Sequence, residues 1–272
     1  MQPRKVITLF LGTVVTLTAI SGAVKAKPIP LTQPSDQLVA ASTGSLLEQG
    51  RQQAEQGQLE QAIALYNRAI QADSRNAEAF HYRGIAYHDL GDYPQAIDDF
   101  TTALQLRPNH PATLYDRGEA YSHTSNVDAA LSDLTQVIAV APDFVQPYID
   151  RSIIFAVTGQ FPLALSDLDE AIAIAPDNAD AHYNRGKVQL ALGDADAALT
   201  DFDTAIALSP DLAEAYGNRG LLNHQLGDSH RAVEDLQQAA SLFQAVGDQQ
   251  SYQQTLYFIQ QVQRETVMEG QS

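Results

Sequence analysis

From Thr43 onward the sequence repeats its plan every 34 residues, six times in phase and without an insertion or deletion. The copy at 77–110 shows it most fully, punctuated by Phe80, Gly84, Tyr87, Gly91, Ala96, Phe100, Ala103 and Pro108. Advancing by 34 gives Leu114, Gly118, Tyr121, Ser125, Ala130, Leu134, Val137 and Pro142. The units are 43–76, 77–110, 111–144, 145–178, 179–212 and 213–246. Each holds two helical patterns and has an apolar edge that only a neighbouring unit can cover. The expected fold is therefore all-α, a solenoid of antiparallel helix pairs.

Local signals agree with that plan. Phe80, Gly84 and Tyr87 lie three or four residues apart, on one face of the unit's first helix. Gly84 carries no side chain, so the second helix can approach closely there. Gly91 ends the first helix in a left-handed cap, Asp92 caps the second, and Pro94 sits in its first turn where a missing N–H does no harm. Ala96, Phe100 and Ala103 form one stripe of the second helix, a small–large–small pattern that lets two helices nest.

These residues resemble the tetratricopeptide repeat pattern of large apolar residue, small residue, aromatic, alanine, aromatic, alanine and proline. The resemblance covers about three quarters of the chain. It implies a right-handed superhelix whose concave wall is lined by the first helix of each unit and which binds other proteins. The phrases ALxDxDxAI and YxxRG are similar to those of exported cyanobacterial members, which implies a periplasm or a thylakoid lumen.

One departure from the family pattern recurs in five units. Arg83, Arg117, Arg151, Arg185 and Arg219 stand where the family has leucine, and Asp99, Asp133, Asp167, Asp201 and Asp235 follow sixteen residues later. The first unit lacks both, with Gln49 and Leu65 in their places. Joint presence and joint absence point to an Arg–Asp ladder of bidentate pairs that sets helix register. A row of arginines reading acidic groups on a ligand is the alternative. Spacing alone leaves open whether each pair forms within a unit or across a boundary.

The two ends depart from the repeat. Arg4 and Lys5 precede an uncharged apolar run at 6–20, then small residues and Val24-Lys25-Ala26. Residues 1–26 thus read as a signal peptide cut after Ala26, with retention of 6–24 as an anchor near the membrane as the alternative. Residues 27–42 carry three prolines and read as an extended tether. After Gly247, Tyr252, Leu256, Ile259 and Gln263 recur at helical spacing, so 247–272 is read as a capping helix, over 249–266, with a short tail.

Charge and composition narrow the function. With 33 acidic and 16 basic residues the formal net charge is −17, which opposes nucleic-acid binding. The absence of cysteine rules out disulfides, thiolate metal sites and a cysteine nucleophile. No nucleophile elbow, phosphate-binding glycine loop or HExxH motif occurs, so no enzyme, cofactor or metal site is expected. His81, His88, Asp89 and His123 are the nearest approach to a metal cluster.

By the resemblance, the inward positions include His81, Ile85, His88, Tyr115, Glu119, Ile149, Ile153, Val157, Tyr183, Lys187, Leu221 and His224. Ile149, Ile153 and Val157 would form an apolar strip rimmed by Tyr115 and Tyr183. The family's lysine–asparagine clamp for a chaperone's C-terminal carboxylate is missing, since Lys187 is the only lysine after Lys27. The expected role is a scaffold that holds a segment of another protein in its groove, in assembly of an envelope or photosynthetic membrane complex. Self-association into a structural homo-oligomer is the alternative.

Overall fold

A computed structural model describes residues 34–269, with side chains over 43–266. The targeting segment and the first part of the tether lie outside the described residues. Within them the chain forms thirteen α-helices and no strand. They are α1 (Pro34–Glu55), α2 (Leu59–Ala72), α3 (Ala77–Asp89), α4 (Tyr93–Leu106), α5 (Pro111–His123) and α6 (Val127–Val140). Next come α7 (Val145–Val157), α8 (Phe161–Ile174), α9 (Ala179–Ala191) and α10 (Ala195–Leu208). The last are α11 (Ala213–Gln225), α12 (Ser229–Ala245) and α13 (Gln249–Glu269). No described helix is long and apolar enough to cross a membrane.

The tether is shorter than its prolines suggest. Residues 34–42 are helical and continue into the first repeat as one helix of 22 residues. Pro34 occupies the first turn, where its missing N–H has no intrahelical acceptor to lose. No further proline interrupts the run to Glu55, so an already nucleated helix simply extends backwards.

Each unit is closed by its own turn chemistry. Asn76, Asp92, Asn126, Asn178, Asp194 and Asp228 each accept a backbone N–H three residues on, satisfying one orphan donor at a helix start. The first helix of the third unit ends differently: Ser125 takes the left-handed backbone, at φ 59, that glycine supplies in the other five. The Schellman-type bonds form all the same, Asn126 N–H donating to Tyr121 C=O at 2.9 Å.

The seam between the two helices of a unit is rich in small residues. Ala96, Phe100 and Ala103 of α4 are buried, as are Ala198, Phe202 and Ala205 of α10. A methyl group on Gly84 would meet the Phe100 ring at 2.6 Å, and on Gly186 the Phe202 ring at 2.8 Å. At Gly118 it would stop at an ordinary 3.5 Å, because Leu134 replaces the ring. Opposite an aromatic ring the clash is severe, and at Gly220, which faces Leu236, the approach is still a tight 3.1 Å to the Ala232 carbonyl. Every second helix packs both on its own first helix and on the next unit's.

The arginines lie in this seam. Nε and Nη2 of Arg83, Arg117, Arg151, Arg185 and Arg219 donate to both oxygens of Asp99, Asp133, Asp167, Asp201 and Asp235 at 2.6–2.9 Å. Each pair lies within one unit. The third nitrogen, Nη1, crosses the boundary to the preceding second helix. Arg83 reaches Asn67, Arg117 reaches Thr101 at 3.1 Å and Arg151 reaches Thr135 at 3.0 Å. Arg185 reaches Asp169 at 2.7 Å and Arg219 reaches Asp203 at 2.6 Å. One guanidinium thus ties three helices: the ladder pair itself forms within the unit, and the bond across the boundary goes to a residue outside the ladder. The first unit has no predecessor to tie. Hydrogen bonding to Asp99 holds Arg83 above the usual arginine range, and burial lifts Asp99 above the usual carboxylate range even beside it.

Candidate functional site

Successive first helices touch, α1 with α3, α3 with α5, α7 with α9 and α11 with α13, and together they make one wall of the solenoid. Polar ties 35 residues apart stitch it. His81 Nε2 lies 2.6 Å from Asp116 Oδ2, Tyr115 O–H donates to Asp150 at 2.7 Å, and Asn218 donates to the Tyr183 hydroxyl at 2.9 Å. These side chains turn toward the next helix as much as toward solvent, so Tyr115 and Tyr183 are fasteners and not merely an aromatic rim. Burial raises both phenols above the usual tyrosine range.

Ile149 occupies the same position in its unit and cannot make such a bond. It is 1% exposed and packs with Tyr148, Ala171 and Ala181, so it belongs to the core and not to the groove surface. The wall opens instead at the α5–α7 junction, beside the Tyr115–Asp150 tie. A pocket of about 170 Å³ lies there, lined by Glu119, Ser122, Val127, Leu134, Asp150, Ile153, Ile154, Val157 and Thr158. Ile153 and Val157 therefore do line a cavity, and Val157 stands 83% exposed at its mouth.

The pocket joins apolar sides to two carboxyl groups. Asp150 accepts from Tyr115 and, at 2.9 Å, from Gln146. Burial pushes its carboxyl up to about 6 against those two hydrogen bonds. Glu119 is pushed up to about 8, chiefly by burial and then by the neighbouring Asp116 and Asp150. Neither faces a cationic side chain among the described residues. Asp150, Ile154 and Thr158 were missed by the sequence reading. The signal for Asp150 was there: Asp116, Asp150 and Asn218 follow His81, Tyr115 and Tyr183 after 35 positions.

The remaining wall residues are engaged elsewhere. Ile85 packs beside Phe100. His81 is enclosed by Tyr82, Phe100 and His110 as well as Asp116. His123 stacks on Tyr93, and His88 meets both rings edge-on, its Nδ1 being 3.8 Å from Asp89. Their rings pack against one another, and no group of three metal-ligating side chains converges among the described residues. Lys187 lies over the Tyr183 ring at 5.0 Å. Leu221 and His224 are not open groove: α13 covers them, Leu221 meeting the cluster of Ile259 and Val262 and His224 lying 2.9 Å from Glu265. The amphipathic α13 takes the place that a seventh first helix would fill.

Comparison with known proteins agrees with this architecture. A family model described as TPR repeat matches residues 50–91, 154–193 and 190–227, and models described as tetratricopeptide repeat match 77–110 and 213–245. Together they span more than half of the chain. No curated protein matches in sequence. Among solved structures, PilW, a widely conserved type IV pilus biogenesis factor, is similar at a TM-score of 0.68 and 20% identity. That match covers 79% of this chain and 98% of PilW. YrrB, a TPR protein with an unusual peptide-binding site, is similar at 0.56 and 23%, over 67% of this chain and 96% of its own. MamA from Desulfovibrio magneticus RS-1 is similar at 0.59 and 22%, over 63% and 97%. At these identities the likeness is one of fold.

Proposed function

The chain belongs to the tetratricopeptide repeat family, and from that premise we propose that it is a non-enzymatic scaffold holding a segment of another protein against the wall of α5 and α7. The observation that carries this reading is the pocket between those helices, where Ile153, Ile154 and Val157 expose apolar surface beside two half-buried carboxyls. Concave apolar surface with a few placed polar groups is what a bound segment needs. A peptide-binding relative of the same fold, YrrB, supports the reading. The pattern of residues 1–26 supports action beyond the cytoplasmic membrane, in a periplasm or thylakoid lumen, with an envelope or photosynthetic membrane complex as the assembly served.

Site-specific photo-crosslinking in the native cells tests this. A benzophenone amino acid is placed at Val157, at the pocket mouth, or at the exposed Glu170 on the second helix α8. The expected result is a discrete set of adducts from Val157 that Glu170 does not form. Identical adducts from both positions would defeat the reading. An adduct of two copies of this chain would instead establish self-association through this wall.

A further inference from the structure

Seven acidic side chains are held in the seams or in the pocket between α5 and α7, and they fall into two groups. Asp99, Asp133, Asp167, Asp201 and Asp235 each face an arginine fork. Glu119 and Asp150 face none, and both line the cavity. Resting on the reading of that cavity as a partner site, we propose that it takes a lysine or arginine side chain of the partner. The aliphatic stem lies along Ile153, Ile154 and Val157, and the charged head meets Glu119 and Asp150.

Each part of the pocket selects for that ligand. The single Tyr115 O–H lies 2.7 Å from Asp150 and also serves Glu119, and Gln146 donates to Asp150, so the two carboxylates share two donor groups and meet no counter-charge. A half-buried carboxylate lacking a counter-charge is desolvated without compensation, and a partner's ammonium or guanidinium offsets that cost. The apolar sides match the methylene stem of a long cationic side chain. A free divalent ion would want six or more oxygens, and most of this lining is hydrocarbon. An acidic segment would be repelled, and a wholly apolar one would seal both carboxyls without a partner. The chain's net charge of −17 steers cations toward it. Because burial holds Glu119 up near 8 and Asp150 near 6, a bound cation draws both down and binding releases protons at neutral pH.

The test uses the full chain and three acetylated, amidated octapeptide libraries with aliphatic flanks. Their central residue is lysine, norleucine or glutamate. Titration calorimetry at pH 7.5, in two buffers of different ionisation enthalpy, reads affinity and proton release together. The lysine library is expected to bind at least about tenfold more tightly than the norleucine library, with proton release, and the glutamate library more weakly than either. Glu119→Gln with Asp150→Asn should bring lysine down to the norleucine level. Val157→Arg, at an exposed position that spares the core, should place a cation over the pocket and weaken lysine binding about tenfold or more. Equal binding of lysine and norleucine, blocked by Val157→Arg in both cases, overturns the cationic anchor and leaves the groove standing. Lysine binding indifferent to Val157→Arg puts the cation elsewhere and overturns it too. Failure of all three libraries to bind at millimolar concentration overturns the anchor and counts against the groove itself.

Discussion

The seam inside each repeat buries carboxylates and the wall along the first helices half-buries them, and the two treat them in opposite ways. In the seam an aspartate meets a bidentate arginine, five times over, with one further bond to the preceding unit. On the wall Asp150 and Glu119 have a tyrosine and a glutamine between them and a pocket in front. Side chains that repeat identically serve what every unit must do, which is to dock on its neighbour in a single register. Side chains that differ from unit to unit sit where the scaffold meets something else. The third and fourth units, which flank the pocket, depart from the repeat with Ser125 in place of glycine, Ser152 in place of glycine and Ile149 in place of a hydrogen-bonding ring.

The comparison can be broken most forcefully in the seam. Arg83→Ala leaves Asp99 buried without its counter-charge and cuts the bond to Asn67, and should cost about 3–5 kcal/mol. In a stack coupled only through neighbours, that loss falls on the boundary between the first two units. Hydrogen exchange should show α1 and α2 opening well before α7 to α12. Uniform loss of protection along the chain would mean that the ladder does not act boundary by boundary.

The wall should respond to pH and not to deletion. Glu119 has a folded pKa of about 8, above its unfolded value, so its contribution is full below about 4.5 and lost as pH rises through 8. Stability should therefore fall between pH 5 and 9 by an amount on the order of 3 kcal/mol. Glu119→Gln, which has no proton to lose, should flatten that slope while leaving acid stability unchanged. Denaturant midpoints across the range measure it, and an unaltered slope in the variant would move the effect to another group.

The smallest change sharpens the contrast. Tyr115→Phe removes one hydrogen bond to Asp150 and should cost about 1 kcal/mol at neutral pH. It should also raise the Asp150 carboxyl further above 6, because the phenol favours the ionised form. Carbon-detected NMR titration of the aspartate carboxyls reads this directly. A fall in that pKa would mean that the tyrosine does not hold the carboxylate.

Much of the architecture is legible without coordinates. The 34-residue period, the glycines that end first helices and the asparagines and aspartates that start the next are local signals, read by a few residues each. The sixteen-residue spacing of Arg and Asp was equally plain, because one pair lies on two adjoining helices of one hairpin. What escaped were contacts whose partners lie 35 or more residues apart. Tyr115 looked like a rim and proved a fastener, Ile149 looked like groove and is core, and Leu221 and His224 lie under α13. The helical run at 34–42 escaped for another reason: the prolines were counted as breakers, although Pro34 stands where a helix begins.

Periodicity and caps by themselves determined how many helices form, which face of each is apolar and that neighbours must stack. These are properties of three to four consecutive turns, encoded where they act. Only the tertiary structure decided which wall residues face solvent. That depends on the angle and offset at which one hairpin settles on the next, set jointly by side chains from three helices. The pocket beside Glu119 and Asp150 is lined by side chains of α5 and α6 from one unit and α7 from the next, a juxtaposition that no single repeat contains.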